Sequence, residues 1–271
     1  MKTILIGTDF SAAAFNAACY AADMALAMDM EILLLNIYTI PVSYNEVPMM
    51  INEEVMVQDL ESELSKLKEQ LSQRTNGKVA IKTTVRVGMF FMELDNICEQ
   101  VKPYAVILGS QGSTAAQRLI LGGHTIYAMK HLNWPLIAVP PEAHFSGIKK
   151  IGLACDFNDV AETVPGGKIK ALTEDLHAEL HILNIAKQRE AEPEMVTESG
   201  ILHEMLLSVK PHYHYGVQEH TDQSIMDAVE ANHIDLLIVL PKHHDLPHIL
   251  THKSHTRQLA MHCQVPVMAL K

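Results

Sequence analysis

Tyr104 to Thr125 reads YAVILGSQGSTAAQRLILGGHT, and the fold turns on how this stretch is read. Ala105 to Leu108 is a short apolar run of the kind that makes a strand buried on both faces. Gly109-Ser110-Gln111-Gly112 breaks it, nine residues follow, and Gly122-Gly123 precedes a helix-like segment. Glycine admits positive φ and lets a ligand approach the main chain, so successive N–H groups can turn inward as an anion-binding nest. A helix beginning at about His124 adds free amides and the positive end of its dipole. The stretch therefore predicts a strand, a phosphate-holding loop and a helix.

Working outward, the same alternation covers the first half of the chain. Residues 2 to 8 (KTILIGT) and 31 to 38 (EILLLNIY) read as buried strands, and Lys78 to Val87 alternates as a third. Ser11 can cap a helix over Ala12 to Met28, a long amphipathic helix runs from about Asn52 to Thr75 and ends at Asn76-Gly77, and Phe90 to Val101 is a third. Pro135 to Val139 supplies a fifth strand. Strands alternating with helices demand a parallel sheet with right-handed crossovers and helices on both faces. Pro140 to Gly147 interrupts with turn formers and marks a linker.

The cycle then restarts. Lys149 to Phe157 repeats Lys2 to Phe10, with Asp-Phe closing each first strand, and Glu179 to Ile185 repeats Glu31 to Ile37. Asp235 to Leu240 answers Tyr104 to Leu108, and Val265 to Leu270 answers Trp134 to Val139. Four matched blocks in one order indicate an internal duplication, with domains expected at 1–141 and 142–271. The Pro-Leu-Ile-Ala-Val and Pro-Val-Met-Ala-Leu edge strands are expected to pair the copies as a pseudo-dimer within the chain, with a further homodimer open.

Composition narrows the function classes. The chain has 271 residues and a formal net charge of -11, which argues against nucleic acid as a partner. No run approaches the roughly 18 apolar residues of a membrane span, and the start reaches Asp9 after a brief apolar stretch, so a cytoplasmic home is expected. Cys19, Cys98, Cys155 and Cys263 are far apart and form no CxxC, which points to buried reduced thiols. Histidine is the anomaly: 16 in all, 13 of them after residue 147.

Gly109-x2-Gly112-x9-Gly122, with Asp9 after the first strand and the Asn-Ile-Tyr end of the second, resembles the ATP-binding class of universal stress proteins, over the whole chain as two tandem copies. The resemblance implies doubly wound five-stranded parallel sheets in the order 3-2-1-4-5, of the adenine nucleotide alpha hydrolase-like kind. It places ATP, ADP or AMP, with or without Mg or Mn, at the switch point between strands 1 and 4. By the same resemblance Gly7, Thr8 and Asp9 line the base and ribose side, with Asp9 on a ribose hydroxyl or a divalent ion. Ile37 offers main-chain groups to the adenine and Leu108 packs near it. Gly109, Gln111 and Gly112 cradle the phosphates, while Gly122, Gly123 and His124 close the far side. Gly123 departs from the family's usual Ser or Thr, removing a hydroxyl for which Thr125 or His124 can stand in.

The second copy has Pro241, His244 and Ser254 where the first has Gly109, Gly112 and Gly122. Proline lacks an N–H and histidine fills the room a phosphate needs, so this copy is expected not to bind ATP by that loop. His248, His252 and His255 fall on one face of a helix opened by Pro247, with His244 and Asp245 near. They are candidates for a shared metal, against a solvated polar face, and no zinc signature accompanies them. His212 and His214 share one face of an edge strand, and Tyr213 and Tyr215 the other.

Three function classes remain: a cytoplasmic stress or signalling protein that binds nucleotide, an adenylating enzyme, or a scaffold or dimerisation module that binds metal or an apolar ligand. Gly7-Thr-Asp9-Phe-Ser11 lacks the Ser-Gly-Gly-x-Asp-Ser loop of the second class, and no nucleophile with a base is marked. The expectation is the first class, with slow ATP hydrolysis at most.

Overall fold

Apolar runs become the strands of an α/β fold whose sheets are mostly parallel. A computed structural model describes residues 2–39, 53–110, 115–186, 193–217, 221–241 and 255–271. The first half runs β1 (Thr3–Gly7), α1 (Ala12–Ala27), β2 (Glu31–Tyr38), α2 (Glu53–Arg74), β3 (Ile81–Val87), α3 (Phe90–Val101), β4 (Ala105–Gly109), α4 (Ala115–His131) and β5 (Leu136–Val139). The second runs β6 (Lys150–Ala154), α5 (Val160–Thr163), α6 (Gly166–Leu176), β7 (Glu179–Ala186), α7 (Pro193–Leu206), β8 (His212–Val217), α8 (Thr221–Ala231), β9 (Leu236–Val239), α9 (His255–His262) and β10 (Val267–Ala269). No described helix is long and apolar enough to cross a membrane.

Two compact units form, one of Met1–Ala128 with Pro141–Phe145 and one of Met129–Pro140 with Ser146–Lys271. In the first unit the strands lie β3-β2-β1-β4, all parallel. Ile4, Leu5 and Ile6 of the central β1 are 0% exposed, and burying each such side chain contributes about 1.5–3 kcal/mol. Ser11 caps α1 by accepting from the Ala14 N–H, and this alanine-rich helix buries ten residues against the sheet. Small side chains let it sit close: a Cβ at Gly109 would stand 3.1 Å from the Ala13 carbonyl oxygen.

In the second unit the order is β5-β10-β9-β6-β7-β8, parallel except where β5 meets β10 antiparallel, Ile137 opposite Met268. The strand after Pro135 thus belongs by its contacts to the second unit. Left-handed residues recur at matching places in the two halves: Phe10 and Phe157, Asp29 and His177, Lys102 and His233. The two halves thus share left-handed positions at corresponding points of the chain.

Two features differ from the sequence-based expectations. The helix expected from about His124 begins at Ala115. Ala115 to Leu121 (AAQRLIL) is built of strong helix formers, and Gly122-Gly123, at about 1 kcal/mol each, does not stop it. An N–H in a helix interior donates along its own ladder, so His124 does not open a new dipole end. Secondly, Gly7, Gly109 and Gly123 do not use positive φ; the described glycines that do are Gly77, Gly88 and Gly147. In the second unit, α5 and α6 are separate helices, because Val164 is extended ahead of Pro165.

Candidate functional site

In the first unit, the carboxyl ends of the adjacent strands β1 and β4 and the start of α1 meet at a small cavity. Gly7, Thr8 and Asp9 line it from the end of β1, Ser11 and Ala14 from α1, Leu108 and Gly109 from β4, Phe90 from α3, and His124 and Thr125 from α4. The position follows from topology, since connections leave β1 and β4 in opposite directions and open a crevice between them. The cavity offers about 40 Å³ of room, enough for a few waters.

The corner after β1 is held by several hydrogen bonds. The Phe10 N–H donates to Thr8 Oγ1 at 3.0 Å and the Ser11 N–H to Asp9 Oδ1 at 3.1 Å, while Phe10 takes a left-handed φ of 61°. Asn36 Nδ2 donates to the Thr8 carbonyl at 2.9 Å, and its Oδ1 is buried with no partner among the described residues. The Thr8 N–H donates to the Leu35 carbonyl at 2.9 Å, so β2 holds this corner from one side. α1 has no acidic residue in its first turn, which leaves the positive end of its dipole facing the cavity. The helix end that faces the site is therefore that of α1.

On the other side, Thr125 Oγ1 donates to the Gly109 carbonyl at 3.0 Å and ties α4 to β4. The His124 ring lies parallel to Phe90, centroids 4.7 Å apart and planes 10° apart. Burial pushes the His124 imidazole below its ordinary pKa, so it favours the neutral form near neutral pH.

Seven of the residues singled out from sequence, Gly7, Thr8, Asp9, Leu108, Gly109, His124 and Thr125, come together here. Ile37 lies half-buried on β2, away from the lining, and Gly123 is exposed. Gly122 lies within α4, and Gln111 and Gly112 lie outside the described residues. Packing accounts for two of the glycines: a Cβ at Gly7 would come 2.5 Å from Leu108 Cδ2, and Gly109 is held by α1. Sequence reasoning missed Phe90. The signal was its place just beyond the carboxyl end of β3, at the start of a crossover helix, where crevice residues of such sheets arise.

Of the metal candidates, His244, His248 and His252 lie outside the described residues, and His255 Nδ1 pairs with Asp222 Oδ1 at 2.5 Å. Among the described residues no group of three or more His, Cys, Asp or Glu is placed to hold a metal ion. A different histidine cluster lies in the second unit. His181 of β7 stands opposite His212 of β8, and its Nδ1 is 2.9 Å from His214 Nε2. Its ring is stacked 8° from that of His214, and Glu179 approaches its Nε2 at 3.5 Å. As alternation predicts, Tyr213 and Tyr215 stack on each other instead.

The profile of the universal stress protein family matches residues 1–140. The chain belongs to the universal stress protein family. A universal stress protein from Archaeoglobus fulgidus is similar over 99% of this chain and 96% of its own, at 15% identity and a TM-score of 0.70. A functionally unknown protein from Pseudomonas aeruginosa is similar over 100% of this chain and 92% of its own, at 12% identity and a TM-score of 0.56. At these identities the likeness is one of fold. A universal stress protein solved in complex with cAMP covers 44% of this chain and 84% of its own, at 22% identity and a TM-score of 0.32. No curated protein matches the chain.

Proposed function

We propose that this universal stress protein is a cytoplasmic signalling protein whose first repeat, residues 1–141, binds ATP or a related adenine nucleotide. Its second repeat, residues 142–271, is a degenerate copy with a structural or regulatory role. The observation that carries the reading is the gathering of Gly7, Thr8, Asp9, Leu108, Gly109, His124 and Thr125 around one cavity at the switch point of the first unit. Membership of the family and the Gly109-x2-Gly112-x9-Gly122 spacing support it.

The cavity, about 40 Å³ among the described residues, is smaller than a nucleotide, so a bound nucleotide would extend beyond it. Asp9 fits an accompanying divalent ion: it is exposed, and Mg²⁺ is commonly held by one or two carboxylates together with substrate phosphates. Turnover is not favoured. Slow hydrolysis is the most this reading expects, because Gly7-Thr-Asp9-Phe-Ser11 lacks the Ser-Gly-Gly-x-Asp-Ser loop of adenylating enzymes.

The competing reading is a scaffold that takes no nucleotide, and packing at Gly7 and Gly109 favours it. Calorimetric titration of nucleotide-free protein with ATP, ADP and AMP separates the two. The nucleotide reading expects saturable binding that Gly112→Val removes. Equal heats from both proteins, or none from either, contradict it.

A further inference from the structure

We propose that His124 is the side chain of α4 that contacts the phosphates, and that it takes up a proton as they arrive. This rests on the nucleotide reading above and adds a mode of recognition to it.

Among the residues of α4 whose side chains are described, three successive ones could meet an anion. Gly123 carries no side chain, and nothing lies within 4 Å of where its Cβ would stand. The Thr125 hydroxyl proton is committed to the Gly109 carbonyl, a bond that joins helix to strand. That leaves His124, whose ring lines the cavity and is positioned by its parallel stack on Phe90. Neither of its ring nitrogens carries a hydrogen bond among the described residues. An imidazole always has at least one N–H to donate, and two when charged.

The groups that face this ring decide its protonation. Phe90 comes from α3, Ser11 and Ala14 from α1, and Thr8 and Asp9 from the corner after β1, so Asp9 is the one carboxylate among the described residues of the lining. Glu93 of α3 is turned toward Gly88, where a Cβ would stand 2.9 Å from its Cγ. With the ring half-buried, the neutral form is favoured while the site holds no anion. A phosphate at the N–H brings negative charge into a partly dry place and favours the cation. Binding and protonation are then linked. Affinity rises as pH falls through the bound-state pKa, and levels off below the lower pKa of the free site.

The test is titration of the full chain with ATP at pH 8 and at pH 5.5, each in two buffers of different ionisation enthalpy, for the wild type, His124→Asn and His124→Gln. Both variants keep an N–H donor and cannot titrate. ATP's own protonation is common to all three proteins, so differences isolate His124. Wild type is expected to gain about tenfold more affinity than the variants on acidification, one pKa unit's worth, with net proton uptake that the variants lack. Adenosine should show neither effect. Parallel pH dependence in all three proteins, with ATP still bound, overturns the role of His124 and leaves the nucleotide reading standing. No ATP binding by the wild type at either pH overturns both.

Discussion

After β1, Asp9 accepts from the Ser11 N–H, Phe10 turns left-handed, and Asn36 reaches from β2 to the Thr8 carbonyl at 2.9 Å. After β6, Asp156 accepts from the Asn158 N–H, Phe157 turns left-handed, and Asn184 reaches from β7 to the Cys155 carbonyl at 2.9 Å. The two corners share this backbone device and differ in the helix beyond it. Ser11 caps an unbroken α1 whose N-terminus faces a cavity. In the second unit Asp159 gives no side-chain cap, and the Val160 N–H is taken by Glu198 Oε2 of α7 at 2.7 Å. Asp9 and Ser11 of the first corner's own turn serve the start of α1 beside the cavity, while the first N–H of α5 is taken by a carboxylate from another helix. The two halves share the turn that follows the first strand and differ in the groups that meet the helix leaving it.

If the two corners are structurally equivalent, matched substitutions should cost alike. Asn36→Ala and Asn184→Ala each strip the partner from a buried carbonyl, and each should lower stability by about 1–3 kcal/mol in chemical denaturation. A large loss from one and none from the other breaks the equivalence.

The histidine cluster sharpens the contrast. His181 corresponds to Leu33 in the first repeat, each lying two residues into the strand that follows a matched glutamate. Burial lowers the pKa of His181 and of His214, opposed at His181 by Glu179 and reinforced by His212 and Lys150. Folded values below about 6.5 mean that the unfolded chain binds protons first as pH falls. Stability from this pair is thus present above about pH 6.5 and drains as pH drops through that value. Thermal melts between pH 7.5 and 5 should show that loss in the wild type, and a flatter profile in His181→Leu. Identical acid slopes would show that the cluster does not set the acid response.

A smaller effect is expected at the helix starts. Ser11→Ala should cost about 1 kcal/mol by removing the cap. Asp159→Gly should be neutral or gain up to about 1 kcal/mol, because its φ of 50° is one that glycine holds without strain. Losses of the same sign and size at both positions would contradict the difference drawn between the corners.

Much of the fold was legible because its signals are local. Glu31 to Tyr38 and Phe90 to Val101 were bounded to the residue, and Ser11 was recognisable as a cap from its place before an alanine-rich run. The Asp-Phe pairs at 9–10 and 156–157 marked the two corresponding corners. The features that stayed hidden depend on contacts distant in sequence. Phe90 and His124 are 34 positions apart and meet as neighbouring helices of one layer. His181 gains its imidazole neighbours through strand register, although the shared face of His212 and His214 could be read from alternation. The start of α4 is hard to place from residues alone, because Gly122-Gly123 looks like punctuation while the helix formers before it carry more weight.

If the first repeat takes nucleotide and the second does not, photoaffinity labelling will separate them. The whole chain would be labelled with an azido-substituted ATP and its peptides mapped with and without excess ATP. ATP-protected label is expected in peptides holding Gly7 to Asp9, Phe90 or Leu108 to Thr125, and none in those holding Ala154 to Val164 or Leu240 to His255. Protected label in the second set, or none anywhere that ATP can compete away, would contradict the division of labour between the repeats.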